Sequence, residues 1–301
     1  MNHTRRLFLA SGLALSCWVA TAPALAADPL PVIASFSILG DLVRVVGGDR
    51  VTVSTLVGPD QDAHTFEPKP AHAKAMLNAR LLVTNGLGFE PWVNKLANSA
   101  GYKGSKAVAS MGVTGRLMAD EQGHAEPDPH AWQNPDNVVL YVRNIAAALS
   151  AVDADGTSTY QANAQAYITQ LQTLDAWSKA QFAAIPVARR KVITAHDAFG
   201  YFAAHYRIKF LAPQGVSTDA EPSAKQVAQL IQQMRREKIK AVFVENMSNP
   251  KLMTQLSKDA GATLGASLYA DALSAADKPG ATYLQMMRHN VTELAAGMKL
   301  N

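Results

Sequence analysis

Cysteine is almost absent from this chain, with one in 301 residues. That cysteine, Cys17, lies in an N-terminal apolar segment that we expect to be cleaved. A lipid-acceptor role is the alternative, but Ala14 and Leu15 form a poor lipidation motif before it. The exported chain would then hold no thiol, which excludes disulfides and any cysteine-ligated metal site.

The chain also has little excess of positive over negative charge. The formal net charge is +4, and removal of Arg5 and Arg6 with the leader would lower it to +2. A charge this small and scattered argues against nucleic-acid binding. Familiar catalytic patterns are missing as well: Gly86-Leu87-Gly88 lacks the third glycine of a dinucleotide fingerprint, and there is no His-Glu-x-x-His helix or Gly-x-Ser-x-Gly elbow.

The first 26 residues are predicted to be a signal peptide. Arg5 and Arg6 precede an apolar run, 7–20, that is shorter than the roughly 20 residues of a membrane span. Ala24-Leu25-Ala26 fits the small-x-small cleavage rule, so the mature chain would begin at Ala27. The arginine pair is compatible with twin-arginine or Sec export. Either route predicts a periplasmic protein.

Apolar strand-like runs alternate with helical ones along the mature chain, which predicts an α/β fold with mostly parallel sheets flanked by helices. The predicted strands are 31–36, 51–57, 81–83, 107–109, 191–195, 208–211, 241–245 and 263–268. The predicted helices are 38–46, 70–78, 90–97, 136–150, 197–205, 222–237, 250–260 and 282–298. The stretch 111–135 is predicted to be a long polar loop, a length that is often functional.

A segment without glycine or proline, 157–185, carries apolar residues at helical spacing. One continuous helix there would be about 40 Å long and could join two lobes; two helices with a bend are the alternative. The predicted division is a leader (1–26), an N-terminal α/β lobe (27–155), a linking helix (156–186) and a C-terminal α/β lobe (187–301).

Three histidines and one aspartate stand out as candidate metal ligands, two in each lobe: His64, His130, His196 and Asp271. Three imidazoles and a carboxylate make a complete tetrahedral set for Zn²⁺. Ligands in open α/β sheets bind beyond the carboxyl ends of the strands, and all but His130 follow a predicted strand. We therefore predict one metal in the cleft between the lobes. The alternative for each residue alone is a solvated loop histidine or a helix-capping aspartate.

Neighbouring carboxylates could orient these imidazoles through their second ring nitrogen. Asp62, Glu67, Asp128 and Asp197 are the candidates, although Asp197 is better placed to cap a helix. Glu245 could act as a base or outer-shell group, but we expect it to pair with backbone N–H groups or a buried cation. Three of the remaining histidines are predicted to be structural or solvated: His72, His205 and His289. His124, in the long loop, could at most capture a metal ion transiently.

Five separated motifs resemble one family of proteins, the cluster A-I solute-binding proteins. They are Asp-Ala-His-Thr-Phe-Glu-Pro at 62–68, Asp-Pro-His-Ala-Trp-Gln-Asn-Pro at 128–135, His-Asp-Ala-Phe-Gly-Tyr-Phe at 196–202, Pro-Gln-Gly-Val-Ser-Thr at 213–218 and Leu-Tyr-Ala-Asp-Ala-Leu-Ser at 268–274. Proteins of this family are the zinc- and manganese-binding periplasmic components of ABC importers. The resemblance spans essentially the whole mature chain.

The resemblance implies two α/β lobes joined by a rigid helix, one metal ion in the cleft, and delivery to a membrane permease driven by an ATPase. It implies no enzymatic activity, and we expect a monomer. Carried over by motif, the ligands are the same four residues. Manganese-type members often place a glutamate at the position of His196, so the imidazole favours zinc. Zinc-type members often carry a histidine-rich loop, whereas 111–129 here holds only His124. A manganese importer component and a secreted zinc hydrolase remain the alternatives.

Overall fold

The structure is a computed structural model that describes residues 28–119 and 125–301. The predicted leader, with Cys17 and the arginine pair, lies outside these ranges, as does His124. Within them, no helix is long and apolar enough to cross a membrane.

Four parallel strands form the first sheet, in the order β2-β1-β3-β4: β1 (Leu30–Phe36), β2 (Val51–Val57), β3 (Leu81–Thr84) and β4 (Ser105–Val108). Helices α1 (Ser37–Gly47), α2 (Pro70–Leu77) and α3 (Pro91–Ser99) connect them. The central strand β1 is buried along almost its whole length, because helices cover both faces of a parallel sheet. The predicted fold class is confirmed by this arrangement.

A second sheet has the order β10-β9-β7-β8 and is also parallel: β7 (Lys191–Ile193), β8 (Lys209–Leu211), β9 (Ala241–Val242) and β10 (Thr263–Leu264). Its helices are α6 (Gly200–Tyr206), α7 (Ala224–Glu237) and α8 (Pro250–Ala260). Ser223 and Asn249 begin α7 and α8 by accepting hydrogen bonds from the free N–H groups of the first turn.

Several strands of this second sheet are shorter than predicted. The predictions ran to Ala195, Glu245 and Leu268, but the ladders end at Ile193, Val242 and Leu264, and only one isolated bridge joins Glu245 to Leu268. Beyond Ile193, the N–H of Ala195 donates to the Glu245 carboxylate, so a side chain replaces the backbone partner that a longer strand would provide. The apolar pattern marks burial correctly but does not reveal where backbone pairing stops.

The predicted loop 111–135 was wrong in part. It contains a short antiparallel pair of strands, β5 (Leu117–Ala119) with β6 (Ala125–Pro127), followed by a 3-10 turn over Ala131–Gln133. The β6 residues are exposed, so the sequence has no apolar alternation there from which this strand could be predicted.

Three helices complete the fold: α4 (Pro135–Val152), α5 (Thr157–Ala183) and α9 (Tyr283–Met298). α5 is one continuous helix of 27 residues, about 40 Å long, so the alternative of two helices with a bend is wrong. It packs against α1, α4 and α9, and the largest hydrophobic cluster takes residues from both sheets. The predicted lobe boundaries stay a proposal.

Candidate metal centre

The loop after β2 carries His64 towards the carboxyl end of the first sheet. The Asp62 carboxylate accepts the backbone N–H of His64 at 2.8 Å, a local turn that holds the backbone at His64. The Phe89 ring lies against the imidazole, with the ring centroids 4.9 Å apart. Only 7% of the His64 side chain is exposed.

His130 lies at the start of the 3-10 turn before α4 and is fully buried. Asp128 accepts both the backbone N–H and the ring Nδ1–H of His130, each at 3.0 Å. An ionised carboxylate can only accept, so Nδ1 is the donor in this contact, and Nε2 is the ring nitrogen that can offer a lone pair to a metal. Of the carboxylates predicted to orient an imidazole, Asp128 is therefore the one that does so directly.

His196 follows β7 and is also fully buried. The Glu245 carboxylate accepts the backbone N–H groups of Ala195 at 2.9 Å and His196 at 3.4 Å. Its Oε1 lies 3.7 Å from Nδ1 of the His196 ring. The prediction that Glu245 pairs with backbone N–H groups is confirmed.

Asp271 completes the group from the loop that precedes α9. Its Oδ2 lies 3.0 Å from His196 Nε2 and 3.3 Å from His64 Nε2, and its Oδ1 lies 3.5 Å from His130 Nε2. The Nε2 atoms of His64 and His130 are 3.3 Å apart. One candidate ligand atom from each of the four residues falls within 4.8 Å of all the others. The fold thus brings together the four residues singled out in the sequence.

The electrostatics of this group favour positive charge. Burial alone would raise the pKa of Asp271, but the surrounding imidazoles outweigh it and hold that pKa well below its usual range. Burial would lower the pKa of His196, but Asp271 and Glu245 outweigh it and raise that pKa well above the usual value. Within the described ranges Asp271 Oδ1 has no hydrogen-bond partner. A buried acceptor left free among imidazoles suits a cation.

Hydrogen bonds between the His130 and Asp271 segments fix their relative position. Trp132 Nε1 and Gln133 Nε2 both donate to the Ala270 carbonyl, at 2.9 and 2.7 Å. The Tyr283 hydroxyl donates to the Trp132 carbonyl at 2.8 Å. The sequence reasoning did not assign Trp132 and Gln133 a role, although they belong to the motif that contains His130.

A second buried network, also missed, supports the His130 segment from the first sheet. Asn85 Nδ2 donates to the Pro129 carbonyl at 2.9 Å and Tyr141 donates to Asn85 Oδ1 at 2.5 Å. Glu90 accepts the Asn85 N–H at 2.6 Å and the Ser35 hydroxyl at 2.5 Å. Burial raises the pKa of Glu90. The polar residues Asn85 and Glu90, which follow an apolar strand, were the sequence feature that could have indicated this network.

The remaining two predicted neighbours are Glu67 and Asp197. Glu67 is exposed, and Asp197 caps no helix, because α6 begins at Gly200 with Phe199 before it, so that prediction was wrong. The remaining histidines in the described ranges have their own partners: His72 with the Lys69 N–H, His205 with Asp175, and His289 with the Ser267 carbonyl.

Comparison with known proteins gives a consistent family. Residues 32–297 match the profile of the family described as ZnuA, zinc-uptake complex component A, periplasmic. The chain is 30% identical over 275 residues to the metal ABC transporter substrate-binding lipoprotein ScbA of Streptococcus cristatus, with 89% of each chain covered. It is 29% identical to the manganese lipoprotein PsaA of Streptococcus mitis and to the iron lipoprotein MtsA of Streptococcus pyogenes, with 97% of this chain and 96% of each relative covered.

Solved structures show the same fold. The periplasmic zinc binding protein TroA from Treponema pallidum superposes with a TM-score of 0.84 at 27% identity, covering 90% of this chain and 99% of that one. The periplasmic metal binding protein from Candidatus Liberibacter asiaticus gives 0.80 at 30% identity, covering 89% and 99%.

Proposed function

The chain belongs to the family of periplasmic zinc-uptake components, and from this membership we propose that it binds Zn²⁺ and delivers it to a membrane permease. It is the metal-binding, substrate-binding component of an ABC importer. The metal is the cargo of the protein. The proposed ligands, from the two predicted lobes, are His64, His130, His196 and Asp271.

The separations between the donor atoms carry the proposal. Four donors at the 2.0–2.1 Å typical of zinc form a tetrahedron with edges of about 3.3–3.4 Å. Three separations lie close to this length: His196 Nε2 is 3.0 Å from Asp271 Oδ2, and His64 Nε2 is 3.3 Å from both Asp271 Oδ2 and His130 Nε2. One ligand atom from each of the four residues lies within 4.8 Å of the other three. An ion could therefore be bound with only small adjustments of the side chains.

The donor set favours zinc over manganese. Imidazole suits zinc, whereas manganese prefers carboxylate, carbonyl and water oxygens, and here Asp271 is the only oxygen-bearing residue of the four. A manganese-binding importer component is the second candidate, because relatives named for manganese and for iron are 29% identical to this chain over nearly its whole length. Competitive titration of the metal-free protein with both ions would decide between them; tighter manganese binding would contradict the zinc assignment.

The hydrolase alternative is set aside, because substrate-binding proteins of ABC metal importers are non-enzymatic. The structure is consistent with this, since Glu245, the candidate base, already accepts backbone N–H groups.

Export remains part of the proposal. Relatives of this chain are named lipoproteins, and whether Cys17 is removed or acylated, and whether export uses Sec or the twin-arginine route, stay predictions. So do the monomeric state and the division into lobes at 155/156 and 186/187.

Elemental analysis of the purified protein tests the site. We expect about one zinc per chain for the wild type and a large loss for His64→Ala and His196→Ala, because each removes one of four ligands. His72→Ala is the matched control, since its imidazole bonds to Lys69 instead. Full zinc content in both ligand variants would refute the assignment.

A further inference from the structure

The Pro-Gln-Gly-Val-Ser-Thr motif, 213–218, follows β8 and begins beside His196. The N–H of Gln214 donates to the Ala195 carbonyl at 3.2 Å, and the N–H of Asp197 donates to the Gly215 carbonyl at 3.0 Å. These two hydrogen bonds lie on either side of His196 in the sequence. The first half of the motif is therefore attached to the backbone of one proposed ligand.

The end of the same motif reaches the segment of another ligand. Thr218 Oγ1 donates to Asp62 Oδ2 at 2.6 Å, and Asp62 Oδ1 accepts the backbone N–H of His64 at 2.8 Å. A single carboxylate thus joins Thr218 to His64. The motif connects His196 to His64 through these hydrogen bonds, although the two histidines follow strands of different sheets.

The motif and the residues that follow it also line two cavities, one of which reaches a proposed ligand. A cavity of about 440 Å³ is lined by Asp62, Gln214 and Thr218, among others. A second cavity, of about 300 Å³, is lined by His64, Val216 and Ser217, among others. His64 is the one proposed ligand that is not fully buried, so an ion leaving the site would pass most directly along this second cavity.

We propose that Thr218 is a positioning residue that acts through Asp62 to hold His64 in its ligating position, and so slows release of the bound metal. The inference rests on the proposed function. A hydrogen bond to a charged group is among the stronger ones, and its loss would let the His64 loop move away from the other ligands. Thr218 itself does not touch the metal.

Other hydrogen bonds between the same regions would survive this loss. Asp60 Oδ1 accepts from Asn246 Nδ2 at 2.6 Å, and the Asp60 N–H donates to the Leu273 carbonyl at 2.9 Å. Neither bond involves His64. Removing the Thr218 hydroxyl should therefore loosen one ligand without separating the two sheets.

Release kinetics test the inference. Wild type, Thr218→Val and Thr218→Ser would be loaded with zinc, checked by elemental analysis, and mixed with excess EDTA in a stopped-flow instrument. For Thr218→Val we expect release about tenfold faster, since a charge-assisted hydrogen bond is lost. Thr218→Ser keeps the hydroxyl and should release zinc at nearly the wild-type rate. Thr173→Val, which removes a hydroxyl that donates to the Thr169 carbonyl on the exposed side of α5, is the matched control.

Each outcome decides the inference. Faster release for Thr218→Val alone, with an unchanged melting temperature of the metal-free protein, supports it. Equal rates for Thr218→Val and wild type, or equally fast release for Thr173→Val, overturn it. A wild type that retains no zinc at the loading step would instead refute the proposed function, and this inference with it.

Discussion

At the scale of single residues, Asp128 shows how a side chain outside the proposed ligand set can determine the site. It is fully buried and accepts two hydrogen bonds from His130. Such a partner selects the tautomer of a ligating imidazole and keeps its free nitrogen aimed at the metal.

Replacing Asp128 should therefore weaken metal binding. For Asp128→Asn we expect a 10–100-fold loss of zinc affinity, roughly the range found for partners of this kind. Competition with a chelating dye would measure it. Glu67→Gln is the control, because Glu67 also flanks a proposed ligand but is exposed; an equal loss in both variants would point to net charge as the cause.

At the scale of elements, α5 is fixed to α6 by a polar cluster. Asp175 on α5 accepts from His205 Nε2 at 2.7 Å, from the Tyr206 hydroxyl at 3.1 Å and from Lys179 at 2.6 Å. Burial alone would raise the pKa of Asp175, but hydrogen bonds from Lys179 and His205 outweigh it and hold that pKa below its usual value of 3.8.

Asp175→Asn should destabilise the protein at neutral pH. The expected loss is about 1.5–3 kcal/mol, the value of a hydrogen bond to a charged group, measured by urea unfolding. Because the folded-state pKa is depressed, the charge stabilises the fold fully above pH 3.8 and less as the pH falls through the folded pKa. The difference between wild type and variant should therefore shrink in acid. The exposed pair of Asp277 with Lys278 gives the control, Asp277→Asn, which should have little effect.

The continuity of α5 is itself testable. Gln172 lies near the middle of the helix on its exposed side, so proline there removes a backbone hydrogen bond and clashes without disturbing the core. Gln172→Pro should cost about 3 kcal/mol or more, whereas Gln172→Ala should stay within about 0.5 kcal/mol. Thermal unfolding would compare them. Similar melting temperatures for the two variants would show that the fold does not depend on an unbroken α5.

At the scale of the whole molecule, metal binding should stabilise the fold, because the proposed ligands come together only in the native state. With free zinc at 1,000 times the dissociation constant, mass action adds about 4 kcal/mol. For a chain of this size that is on the order of 10 °C in melting temperature. Calorimetry with zinc, and again after EDTA, would measure it.

The variant Asp271→Asn provides the corresponding control. It keeps the shape of the site but removes the carboxylate charge, so zinc should raise its melting temperature much less. An unchanged shift would mean that zinc stabilises the protein from some other place on its surface.

Local patterns in the sequence determined much of this protein. Apolar alternation and periodicity predicted the α/β class and most elements, because burial requires those patterns. The absence of glycine and proline predicted α5. His64, His196 and Asp271 were predicted as metal ligands from their positions after strands, because ligands bind beyond the carboxyl ends of parallel strands.

Only the tertiary structure decided the rest. The donor distances around Asp271, the link from Thr218 to His64 and the early end of β7 all depend on pairs of residues far apart in the chain. The physical reason is that hydrogen bonds such as those of Trp132 and Gln133 to Ala270 exist only after both sheets have packed together. The number of residues between two positions in the chain does not determine the distance between them in the folded protein.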